Sequence, residues 1–73
     1  METNYLVQST SGERKVTIIS IPCNGDPSYV TYQLFNDGVR MGGGVVKPNE
    51  VRSQVVKWAK RMLIGVTSVT LTK

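Results

Sequence analysis

The dipeptide Asp37-Gly38 stands between two strand-like runs and is the strongest local constraint in the chain. A two-residue type I′ turn needs positive φ at both central positions, and Asp-Gly supplies it at low cost. The turn commits Ser28 to Val46 to one antiparallel hairpin with Asn36 opposite Val39. Counting back from the turn, Leu34 faces Met41, Tyr32 faces Gly43 and Val30 faces Val45 on one apolar face. On the other face Phe35 meets Arg40, Gln33 meets Gly42, Thr31 meets Gly44 and Tyr29 meets Val46. That second face is mixed, as expected of a solvated or binding surface.

The rest of the chain follows the same period of two until Val46 and then changes. Tyr5 to Gln8 reads as a first strand, Thr10 to Glu13 as a turn, and the β-branched run Lys15 to Ile21 as a second strand. Pro22 is expected at or beyond that strand's end, followed by a loop over Asn24 to Pro27. After Lys47-Pro48 the apolar residues Val51, Val55, Trp58 and Met62 recur at helical spacing, widened by Ala59 and Leu63. Asn49 is the expected N-cap, with Glu50 in the first turn, and Gly65 is the expected stop. Val66 to Thr72 alternates again, is rich in threonine and is closed by Lys73, features suited to a sheet edge. The fold class that follows is α+β: an antiparallel meander of four strands, one helix packed on one face, and a C-terminal edge strand. Residues 1–73 form a single domain in this reading.

A chain of 73 residues has no room for a second core, and domains this small often need a disulfide, a metal or a partner subunit. With one cysteine, Cys23, and no histidine, the first two routes have no residues to work with. Self-association, most simply as a homodimer, is the expectation that remains. No apolar run approaches the roughly 20 residues of a membrane helix, and the first residues lack the pattern of a signal peptide. A cytoplasmic location with a reduced thiol and no membrane partner is therefore expected.

The formal charge of +4 favours polyanions. Helical spacing gathers Lys57, Lys60 and Arg61 opposite the apolar stripe, where they either form a phosphate-contacting patch or simply a solvated surface. Arg52 lies nearer the apolar border and is expected to snorkel. On the mixed face of the sheet Tyr29, Phe35 and Arg40, with Lys15 and Thr17 beside them, offer rings for stacking and cations for phosphates. The plain alternative there is a cross-strand Phe35–Arg40 pair, or a dimer interface.

Gly42-Gly43-Gly44 lacks the Gly-Lys-Ser/Thr ending of a phosphate loop and leads into Val45-Val46 rather than a helix. A bulge, curvature, or room for Tyr32 over Gly43 is the expected role. Cys23 has no histidine to activate it, and Glu13, Asp26 and Asp37 fall in turns. No catalytic residues, cofactor or metal are expected. Two functions stand: a non-enzymatic nucleic-acid-binding or regulatory module for DNA or RNA, using Arg40, Lys57, Lys60 and Arg61 with Tyr29 and Phe35; or a protein-interaction or inhibitor module, of the kind carried by phages and mobile elements. The second would act through its sheet edge or open face.

Overall fold

The computed structural model describes residues 1–72; the expected closing role of Lys73 lies outside them. Five strands form one antiparallel sheet: β1 Glu2–Ser9, β2 Gly12–Cys23, β3 Asp26–Asn36, β4 Val39–Val46 and β5 Val66–Thr72. A 3₁₀ turn, Pro48–Glu50, leads directly into the helix α1, Val51–Met62. The strand order is β4-β3-β2-β1-β5, so the first four strands are a meander and β5 pairs with β1 at the far edge. Because all neighbours are antiparallel, β4 and β5 run the same way. The chain must return between them, and α1 makes that return across one face of the sheet.

The core lies under the helix. Tyr5 and Val7 of β1, Val16 and Ile18 of β2, and Leu34 of β3 project to one face and meet Val55, Trp58 and Ala59. Trp58 is only 7% exposed. Tyr32, Val51, Leu63, Val66 and Val69 pack around this cluster. Met62 belongs to the same stripe by position but is 52% exposed. Met62 is the last residue of the helix: the Leu63 N–H donates to the Ala59 carbonyl, and three residues past Met62 the Gly65 carbonyl accepts from the Thr10 N–H in the turn joining β1 and β2. Gly65 has φ +66, and a Cβ there would come within 2.5 Å of Thr10 Oγ1. The helix stops before it, with Leu63 already extended, so the glycine expected as the helix stop serves instead as a point of close approach.

The Asp37-Gly38 turn is present, with φ +48 and +86 and Asn36 opposite Val39. The Asp37 carboxylate also accepts from the Lys15 N–H at 3.1 Å, tying the turn to β2.

The register behind the turn differs from the simple count. It slips between Leu34 and Phe35, so Leu34 faces Gly42 rather than Met41, and Tyr32 faces Gly44 rather than Gly43. Likewise Gln33 faces Gly43, Thr31 faces Val45 and Val30 faces Val46. Met41 is the extra residue of a β-bulge, which a run of glycines accommodates easily.

Three smaller expectations also shift. Two strands run longer than their apolar runs, β1 from Glu2 to Ser9 and β3 from Asp26. Pro22 lies inside β2, opposite Val30. It is tolerated because β1 reaches only as far as Ile19, leaving Pro22 without a neighbour on that side. Asn49 does not cap the helix: Pro48, with its fixed φ, starts the turn one residue earlier. The Glu50 carboxylate instead accepts from the Lys47 N–H at 3.2 Å.

Candidate nucleic-acid interface

The helix carries the charge of the whole molecule. Residues 47–62 hold five cations, Lys47, Arg52, Lys57, Lys60 and Arg61, against the single acid Glu50. The remainder of the sequence has four cations and four acids. All five helix-side cations are exposed. Glu50 points its carboxylate back at the Lys47 amide, away from the later turns. The helix is therefore uniformly positive past its first turn, and the other described residues carry three cations against four acids.

Packing divides these cations by direction. Lys57 and Arg61, one turn apart, lean toward β4 with Gln54 between α1 and the sheet. Lys60 and Arg52 lean toward β5. The Arg52 guanidinium donates to the Val69 carbonyl at 2.9 Å, so it is committed to the fold as well as to the surface, beyond the snorkelling expected of it. Lys57 and Lys60 flank the outward crest of the helix, and Arg61 descends from it.

Between α1 and β4 lies a groove of about 320 Å³. Tyr32, Leu34 and Trp58 wall it, Gly42 and Gly43 form its β4 side with Met41 at the border, and Gln54, Lys57 and Arg61 line the helix side. The bulge creates this space. Without it Met41 would stand opposite Leu34; with it the residue there is Gly42, and nothing lies within 4 Å of where a Gly42 Cβ would be.

The three glycines prove unlike one another. A Cβ on Gly43 would meet the Tyr32 carbonyl oxygen at 2.6 Å, so that position requires glycine. A Cβ on Gly44 would rest on the Tyr32 side chain at 3.4–3.7 Å, an ordinary contact distance. Only Gly42 borders empty space. The Tyr32 hydroxyl donates to Gln54 Oε1 at 3.4 Å, the one polar link between β3 and the helix across this flank.

The open side of the sheet holds the other residues singled out by the sequence. Phe35 pairs with Arg40, and the half-buried Leu6 and Ile19 lie on the same face. Tyr29 lies in the irregular first part of β3, and Ile21 and Val45, which are 58% and 61% exposed, both pair with Thr31. Cys23 Sγ lies 3.4 Å from Thr31 Oγ1 on this face. Tyr29, Phe35 and Arg40 are thus separated by the full thickness of the sheet from Lys57, Lys60 and Arg61, and no single groove joins the two sets.

Sequence reasoning brought the helix cations together but missed the groove beside them. Tyr32 and Trp58 read as strand partner and core residue, and both are also groove walls. The available signal was the glycine run itself: glycines opposite large apolar residues leave volume unfilled unless something else enters.

Among the described residues no three His, Cys, Asp or Glu side chains come together as metal ligands, and no helix is long and apolar enough to cross a membrane. Comparison with family models, curated proteins and solved structures finds no significant match to this chain.

Proposed function

We propose that this is a small, non-enzymatic, cytoplasmic binding protein whose helix side contacts nucleic-acid phosphates. The observation that carries the reading is the segregation of charge: the entire formal excess of +4 resides in residues 47–62, exposed on one side. Lys57, Lys60 and Arg61 are the principal phosphate contacts. Arg52 contributes its charge while held to β5. Tyr29, Phe35 and Arg40 face the other way and take no part in this contact.

Phosphate contact releases counterions, so affinity must fall with salt. Three contacts to a single strand give a slope of about −2 in log K against log salt. Anisotropy of a labelled oligonucleotide, titrated at several salt concentrations, measures this directly. Replacing Lys57, Lys60 and Arg61 together by glutamine is expected to remove most of the affinity and flatten the slope. An unchanged slope in that variant would refute the reading.

A second reading is favoured by one observation on the opposite side. Ile21 and Val45 are exposed on either side of Thr31, on the face away from the helix. This face suits a protein partner, most simply a second copy of the chain. Sedimentation equilibrium tests it: a dimer that Val45→Lys dissociates supports it, and a monomer at all concentrations excludes self-association.

A further inference from the structure

Phosphate contact leaves the groove beside the helix unexplained, since cations on the crest would serve as well above a filled flank. Its contents are specific. Tyr32 is a half-buried ring beside Gly44, Trp58 forms the inner wall, and Gln54 supplies an amide. Lys57 and Arg61 stand at the helix side, and no acid lines it. At about 320 Å³ the space is at the small end of ligand sites. The matching occupant is a flat aromatic group with a negative charge close to it. An acidic peptide would satisfy the two cations through its carboxylates alone, whereas in a nucleotide the ring and the negative charge always come together.

We propose that the groove between α1 and β4 receives one unpaired base of a single-stranded nucleic acid, stacked against Tyr32, with the neighbouring phosphates on Lys57 and Arg61. The inference rests on the phosphate-contact reading and narrows it. In a duplex the base faces are stacked on their neighbours, and only a splayed base can enter such a space. The open position at Gly42 is where the base edge would lie. Stacking of one base on an aromatic side chain strengthens binding by about tenfold or more.

The chain carries its own reporter, because Trp58 is its only tryptophan and lines the groove. The full-length protein is titrated with a labelled single strand, the same strand made abasic, the matched duplex, and a free nucleoside monophosphate. Anisotropy and Trp58 emission are read together for the strands, and emission alone for the unlabelled mononucleotide. The base-bearing strand is expected to bind about tenfold more tightly than the abasic strand or the duplex, and it alone of the three should change Trp58 emission.

Gly42→Leu fills the groove from a position with free space above it. It is expected to reduce the single strand to the abasic level and to abolish the emission change, with the thermal melt preserved. Equal affinity for base-bearing and abasic strands would overturn the proposal, as would a folded Gly42→Leu protein that binds like the wild type. A mononucleotide binding as tightly as the strand would overturn the assignment to a strand. Should Gly42→Leu fail to fold, the abasic comparison on the unaltered protein decides alone. Failure of the phosphate reading looks different: no strand, with or without bases, would then show salt-dependent binding.

Discussion

The two flanks of α1 rest on the same sheet and end differently. On the β5 side the positions under the helix are Val66 and Val69, both packed against the core, and Arg52 reaches over them to the Val69 carbonyl. On the β4 side the corresponding positions are Gly42 and Gly44, and beside them the long Tyr32–Gln54 hydrogen bond joins the helix to β3. Each side carries one register shift, at Met41 in β4 and at Thr67 in β5, so irregular pairing is common to both. Side-chain volume, not strand geometry, decides that one flank is sealed and the other is a groove. The same lesson applies to the cations: Arg52 is drawn into the sealed flank and spends its guanidinium on structure, while Lys57 and Arg61 line open space.

Substitutions that exchange the characters of the flanks test this difference. The largest effect is expected from Val69→Gly, which would make the β5 side resemble the β4 side. Losing a partly buried valine and gaining strand flexibility should destabilise by about 2–3 kcal/mol. In a domain of this size that lowers the melting temperature by about 10–20 °C, measurable by circular dichroism. Gly43→Ala comes next: its Cβ would collide with the Tyr32 carbonyl, and overpacking of that kind costs about 1–3 kcal/mol in urea denaturation. Arg52→Ala removes one exposed, charge-assisted hydrogen bond and should cost about 1 kcal/mol or less. The smallest effect has the opposite sign. Gly42→Ala enters free space without positive φ, and a modest stabilisation of about 0.4–1 kcal/mol is expected. Should Gly42→Ala and Gly43→Ala destabilise equally, the distinction drawn among the glycines fails.

Much of the architecture was legible because it depends on local periodicity. The alternating runs, the Val51–Val55–Trp58 stripe and the Asp37-Gly38 turn each report a backbone geometry that nearby residues enforce. The register of β4 was not legible, because a bulge is decided by the balance of pairing on both strands, and glycines at 42–44 impose no preference of their own. The N-terminus of the helix was misplaced for a similar reason: Pro48 and Asn49 both suit a helix start, and the fixed φ of proline won.

For the site, Lys57, Lys60 and Arg61 could be grouped by helical angle alone. Which side of the sheet received the helix was also legible, since the face with Leu34, Tyr32 and Val30 is apolar and the face with Phe35 and Arg40 is mixed. That choice sets Tyr32, and not Tyr29 or Phe35, beside the helix cations. The groove was the least legible feature, being an absence of side chains created jointly by the bulge and the helix crossing.

The division of charge between helix and sheet has a kinetic meaning. A molecule with a positive side and a balanced remainder is an electric dipole as well as a cation. An anionic surface exerts a torque on it before contact, within a screening distance of about 8 Å at physiological salt. Rotation is fast over so small a body, so arrival with α1 in front is favoured over random collision. The open face of the sheet then points outward from the encounter, free to meet something else.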